Sequence, residues 1–331
     1  MTGWILVFLA SLSLSVVSSV VLVRLVGMAG NRFDLPEGLF GIIAALAANS
    51  PEIAAAVAAV RSGQHDVGVG VVLGSNLFNI AALLGLSAIV AGRVHIHRRP
   101  LALNGGVSLV IAAVAAVLVL NQISPLVSLL LVLLVFLPYV GVLSLRPAPT
   151  GSDGLKAGRV RRYFAVAAHE QAEESRPSKL PRQATNGDLL TLIPVLVAVV
   201  FGSVELVNAA VRIGGQLGVG QSVLGALVLG PLTGIPNVIA AVSLARHGRG
   251  SAVVSESLSS NSLNVLVGLC LPAILLGTSA VNARAELEVG WLLGLSVLTI
   301  GLTGLRGGLL RSDGVLVVLC YLGFAVALAV V

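Results

Sequence analysis

Apolar residues run in stretches of about 20, broken by short polar turns, along nearly the whole chain. A helix rises about 1.5 Å per residue, so such a stretch crosses roughly 30 Å of hydrocarbon. Five spans fit the first half, at 3–26, 38–61, 67–92, 101–121 and 124–144, and five fit the second, at 189–211, 220–246, 252–277, 287–305 and 312–331. The runs are too long for barrel strands, and in lipid the backbone must satisfy its own hydrogen bonds. The pattern predicts an all-α polytopic membrane protein of ten transmembrane helices. Between the halves, 145–188 is the one long polar stretch and reads as a flexible linker without a core. The expected organisation is a first five-helix unit at 1–144, the linker at 145–188 and a second unit at 189–331.

The two halves repeat each other. The segment from Pro51 to Val90 matches residue for residue at 15 of 40 positions with the segment 185 positions on, without a gap. Pro51 falls on Pro236, Arg61 on Arg246, Ser75 on Ser260, Asn76 on Asn261 and Asn79 on Asn264. Adding the offset to each first-half span lands close to a second-half span. With an odd number of spans per half, the two repeats must be inverted in the membrane, which places a substrate site near the midplane where their broken helices meet.

Composition strengthens this reading. The chain has 331 residues, 56% hydrophobic and only 10% charged, with a mean hydropathy of +1.02. No soluble domain has these values. The net charge of +6 sits in loops, where it reports topology rather than nucleic-acid binding. Arg32, Arg93, Arg98, Arg99, Arg246, Arg249, Arg306, Arg311 and the basic linker mark one face of the membrane; Arg61 and Arg212 are scattered on the other. The positive-inside rule then puts the linker in the cytoplasm and both termini outside, in an inner or plasma membrane. The first apolar run lacks a basic leader and reads as a retained helix. Cys270 and Cys320 lie in apolar runs and read as small buried hydrophobes.

Chemistry concentrates at the repeat. Asn49-Ser50-Pro51-Glu52 lies halfway along the second span. Proline removes a backbone donor and clashes with the preceding turn, so the helix should break there. A carboxylate at this depth costs about 3 kcal/mol or more unless it is paired, protonated or bound to an ion. Ser75 and Asn79 share one face of the third span, as Ser260 and Asn264 share one face of the eighth. Their oxygens suit a hard cation. Asn76 and Asn261 point elsewhere and are expected to fix these helices against their neighbours.

These motifs resemble those of the sodium/calcium exchanger family, whose repeats read G-T-S-x-P-E and then G-S-N-x-x-N or G-S-N-x-x-D. The likeness covers essentially the whole chain, including Gly202 to Val211 ahead of the second repeat. It implies a ten-helix exchanger that binds Na+ and Ca2+ alternately at a central site. Carried over by residue, Glu52, Ser75, Asn79, Thr233, Asn237, Ser260 and Asn264 are the expected cation ligands. The chain departs from the family where Asn237 stands for the second glutamate, Ala48 and Asn49 for the first threonine and serine, and Gly234 for the second serine. One carboxylate with several neutral oxygens suits a monovalent ion or a proton better than dehydrated Ca2+.

Glu256, four residues before Ser260, is a candidate replacement acid; the alternative places it at the cytoplasmic interface beside Arg246 or Arg249. Glu205 reads as a structural partner near the outer interface. Asp66, Glu286 and Glu288 lie at span ends and are expected to be solvated. His95 and His97 belong to a basic loop near anionic lipid.

The expected function is a secondary cation antiporter centred on Glu52, exchanging Na+ or another monovalent cation against H+ or Ca2+. True Na+/Ca2+ exchange with Glu256 as the second acid, or a silent protein that kept the fold, are the alternatives. No enzyme motif occurs, so catalysis is not expected. The expected partners are inorganic cations and the lipid bilayer, with no cofactor, no nucleic acid and no required protein.

Overall fold

The computed structural model describes residues 1–35, 37–144, 166, 182–278 and 280–331. The expected linker therefore falls outside the described residues over 145–181, apart from Val166.

The first half contains α1 (Thr2–Arg32), α2 (Glu37–Ala48), α3 (Ser50–Arg61), α4 (His65–Asn79), a π-helical segment π1 (Ile80–Leu86), α5 (Ser87–Ala91), strand β1 (Arg93–His95), α6 (Arg98–Val119) and α7 (Pro125–Ser144). The second contains α8 (Asn186–Leu217), α9 (Gln221–Val223), π2 (Leu224–Leu229), α10 (Gly230–Thr233), α11 (Ile235–Arg246), α12 (Gly250–Leu263), π3 (Asn264–Cys270), α13 (Leu271–Leu276), α14 (Ala283–Arg306), β2 (Gly308–Leu310) and α15 (Arg311–Val330). Among the described residues, eight helices are long and apolar enough to cross a membrane, and ten spans result if each of two bent pairs counts as one. Five spans per half make the repeats inverted.

The bent pairs are the second and seventh spans. Ile42–Ala48 turns by 56° into Ser50–Arg61, and Gln221–Thr233 by 49° into Ile235–Arg246. Pro51 and Pro236 each lie in the first turn of the helix after the break. A missing N–H costs nothing at that position, whereas it would break the ladder of a straight span.

Burial sorts the spans. In the apolar window of His65–Ala91, 89% of residues are buried, and 72% in Ala252–Leu276, against 22% in Thr2–Arg32 and 28% in Asn186–Leu217. Spans three and eight are therefore the centre, and α1 and α8 lean against it from the lipid side. Small residues bring α1 and α8 together: the Ser15 and Ser203 hydroxyls lie 2.8 Å apart, and Gly202 sits against the Ser11–Ser15 backbone.

Span three crosses π2 and α10 without room for side chains. A Cβ on Gly230 would come 2.8 Å from the Ser75 nitrogen, and one on Gly74 would overlap Ala226. The repeat places Ser259 at the position of Gly74. On that side the chain is polar: Asn104 donates to Ser255 at 3.1 Å, the Tyr139 hydroxyl donates to Asn104 at 2.6 Å, and Tyr139 lies 3.0 Å from the Ser259 hydroxyl. The basic loop around His95 forms an antiparallel ribbon, with Val94 opposite Leu309, and both of these are buried.

Candidate cation site

The two helix breaks deliver Glu52 and Asn237 to the first turns of α3 and α11. The partial positive charge of a helix N-terminus favours the Glu52 carboxylate there. Spans three and eight change from α to π geometry at Asn79 and Asn264. A π-bulge disrupts the i→i−4 ladder and is frequent at functional sites. Asn49, Glu52, Ser75, Asn76, Asn79, Thr233, Asn237, Ser260, Asn261 and Asn264 are all buried.

Hydrogen bonds join these residues into one cluster across the repeat interface. The Asn237 amide donates to Glu52 Oε1 at 3.2 Å and to Asn49 Oδ1 at 3.1 Å. Asn49 in turn donates to the Ser260 hydroxyl at 2.9 Å. Asn76 and Asn261 exchange bonds with each other's main-chain carbonyls at 3.2 and 3.1 Å, which clamps the two central spans. Their side-chain oxygens also accept from Asn264 and Asn79, both at 3.2 Å. Asn264 donates further to Ser75 at 3.3 Å. Thr233 turns its proton back onto the Leu229 and Gly230 carbonyls.

The side-chain amide nitrogens are thus all engaged, and among the described residues the unmet amide and carboxylate groups are oxygens. Glu52 Oε2, Asn79 Oδ1, Asn237 Oδ1 and Asn264 Oδ1 are buried without a hydrogen-bond partner. They form two repeat-related pairs, Glu52 with Asn237 and Asn79 with Asn264. Buried acceptors are normally satisfied, so four orphans in one cluster require an explanation. Oxygen donors of this kind are what a hard cation takes in place of its water. The set carries a single ionisable group, so one monovalent cation neutralises it. No group of three or more His, Cys, Asp or Glu able to hold a metal occurs among the described residues.

Two placements, those of Asn49 and Glu288, differ from the sequence reading, and that of Glu256 stays open. Asn49, read there only as a departure from the family serine, bridges Asn237 to Ser260 and so joins the two halves. Its position beside Pro51 at the break was the available signal. Glu256 is half-buried one turn from Ser260 and makes no hydrogen bond to the cluster. Glu288 was expected to be solvated but is 1% exposed, because α14 packs its first turns against α4. Asp66 is half-buried and Glu286 is exposed.

Comparison with known proteins identifies the family and the fold. The sodium/calcium exchanger protein family matches residues 3–145 and 188–330. The inner membrane protein YrbG of Escherichia coli (strain K12) is 27% identical over 248 residues, covering 73% of this chain and 71% of its own. The sodium/calcium exchanger MaX1 of Methanosarcina acetivorans is 24% identical over 141 residues, 43% of this chain and 40% of that one. Among solved structures, the sodium-calcium exchanger NCX_Mj superimposes with a TM-score of 0.61 at 20% identity, over 98% of this chain and 97% of its own. The H+/Ca2+ exchanger CAX superimposes with a TM-score of 0.71 at 16% identity, over 99% and 86%. At these identities the two structures establish the fold. The family match spans both halves, and the chain belongs to the sodium/calcium exchanger protein family.

Proposed function

We propose that the protein is a secondary active cation antiporter of the cell membrane, not an enzyme, and that Glu52 with the amide oxygens of Asn79, Asn237 and Asn264 holds one monovalent cation in alternation with a proton. The observation that carries this reading is the set of four partnerless buried oxygens built around one carboxylate. A proton on Glu52 and a cation among the four oxygens exclude each other, since each neutralises the same single charge. That competition couples the two fluxes. The names of the relatives support cation exchange as the class of activity.

Asn237 is the reason for preferring a monovalent ion. Two carboxylates at the repeat-related positions would suit a divalent cation, and the chain has one. Glu256 supports a second reading, Na+/Ca2+ exchange, because it lies on the face of α12 that carries Ser260 and forms no ion pair among the described residues. The charge pattern supports an orientation with both termini outside, the 145–188 linker in the cytoplasm, and units at 1–144 and 189–331.

Flux in sealed proteoliposomes decides between these readings. With Na+, K+, Ca2+ and proton gradients imposed in turn, the proposal expects proton-coupled Na+ or K+ movement that Glu52→Gln abolishes and Glu256→Gln leaves in place. Sodium-driven Ca2+ uptake that is lost in both variants supports the second reading. Flux of no ion by the wild type overturns both.

A further inference from the structure

The two repeats are not closed to the same degree. On the face that the proposed topology puts outside, the crossing of α4 with π2 is sealed at the level of the backbone. A Cβ on Gly70 would come 2.9 Å from the Ser222 carbonyl oxygen, and one on Gly225 would come 2.9 Å from the Val71 nitrogen. Val67 and Val71 are 0% exposed there. The repeat offset carries this stretch of α4 onto α12, where Ser255, Glu256 and Ser259 stand for Gly70, Val71 and Gly74. It carries α2 onto π2, and α12 packs against α2. Glu256 and Ser259 are only half-buried, unlike Val71 and Gly74. On α2, Leu39 and Ala44 are half-buried where their repeat mates Leu224 and Leu229 are buried. The inner crossing is the looser of the two.

Glu256 lies in that gap rather than on the lipid face. Ser260, one turn on, accepts from Asn49 at the break of the second span, and Ser259 meets the Tyr139 hydroxyl of α7. Glu256 falls between these two directions, and α2 and α7 pack against each other. Among the described residues it forms no ion pair. The elements packed against α12 bring no base to its level. Arg98 and Arg99 open α6, Arg93 and His95 lie on β1, and Arg246 ends α11, followed by His247 and Arg249. All of these sit at the polar end, and Arg249 precedes Glu256 by two turns, about 10 Å. His65 and Asp66 are at the opposite end of α4, π3 has only Cys270, and π1 has no ionisable group. Tyr139 is engaged with Asn104 and Ser259, and α2 begins with a further acid, Glu37.

We propose that Glu256 gates the inner approach to the central site, and that α12 closes on α2 only after Glu256 has taken a proton. The proposal rests on the alternating exchange proposed above. Inverted repeats trade conformations in such a cycle, so closing the inner side and opening the outer one gives α12 the packing that α4 has now. Glu256 then occupies the position of Val71, which is fully buried. A carboxylate enclosed in this way is costly unless it is neutralised. In the present arrangement it is half-buried and can stay ionised. An ionised Glu256 therefore holds the inner side open. The proton comes from the inner solution and returns to it when the approach reopens. Glu256 is a positioning residue: it acts on the helix crossing and not on the transported ion.

Labelling of a single cysteine at Val71 with a water-soluble maleimide tests this in purified protein whose Cys270 and Cys320 are replaced by alanine. The reporter is buried until the outer crossing opens. The parent also carries Glu52→Gln, so that the central acid adds no pH dependence of its own. Dividing each rate by that of the unfolded protein at the same pH removes the titration of the thiol. Labelling of the parent is expected to fall at least about tenfold from acidic to alkaline pH. Adding Glu256→Gln should leave it high and flat, and Glu256→Asp in its place should keep the pH dependence. A flat profile in the parent, or a dependence that Glu256→Gln leaves unchanged, overturns the proposal. Should Glu256→Gln not fold, a cysteine at Ser259 replaces the reporter in the parent. Its labelling is expected to run opposite in pH to that at Val71, and a parallel or flat profile overturns the proposal equally. The flux assay reports the central reading separately: ion exchange by the wild type together with pH-independent labelling removes the gate and leaves the exchanger.

Discussion

The amide groups of the central site act in two ways at once. Their nitrogens hold the two halves together, while their oxygens are left without a hydrogen-bond partner, free for the ion of the proposed function. Glu52→Gln removes the charge and adds a donor that competes for Asn237, and at least a hundredfold loss of exchange is expected, which corresponds to about 3 kcal/mol of transition-state or binding energy. Asn49→Ala tests the bridge instead. It leaves Asn237 short of one acceptor and Ser260 short of one donor. Hydrogen bonds between membrane helices are worth about 0.6 kcal/mol on average and up to about 1.7. A melting-temperature decrease of a few degrees in detergent is therefore expected, with weaker cation binding but surviving exchange. Complete loss of folded protein would show that the bridge matters far more than its two bonds. Asn237→Glu is the informative gain. It restores a pair of acids across the repeat, and the variant is expected to bind Ca2+ in isothermal titration where wild type binds it weakly.

Elements show why some of this was readable in advance and some was not. A proline within an apolar run favours a break, and the repeat doubled that signal at Pro51 and Pro236, so these two bends followed from the chain alone, whereas Pro138 and Pro194 lie inside unbroken helices. The π segments after Asn79 and at Asn264 carry no residue pattern of their own; the register slip comes from how the centre is packed. Glu288 was misjudged for a related reason. Distance from the end of a span measures depth in the membrane, but a neighbouring helix, here α4, can bury a residue at any depth. The close crossing of span three with π2 and α10 makes its own prediction. Gly74→Leu forces the α4 backbone away from Ala226, and overpacking of this kind costs about 1–3 kcal/mol. A proportionate loss of thermal stability is expected. Labelling at a cysteine placed near Gly70 should rise in the same variant, because a crossing held apart admits water. Unchanged labelling would mean that the crossing is not a barrier.

At the scale of the whole molecule, the number of charges at the centre fixes how the transporter meets the membrane potential. The central cluster carries one ionisable group, and one proton or one monovalent cation neutralises it. The loaded site is then uncharged in both directions of the cycle. A one-for-one exchange of H+ against Na+ or K+ moves no net charge, so imposing a potential with a permeant anion should leave the rate unchanged. If Glu256 enters the site and Ca2+ is exchanged for monovalent ions one for one, each cycle carries a net charge. A potential of 100 mV then shifts the driving force by about 2.3 kcal/mol per charge, close to fifty-fold in the equilibrium gradient. A voltage-independent rate is the expected result, and a steady current in the wild type would instead require a second acid at the centre.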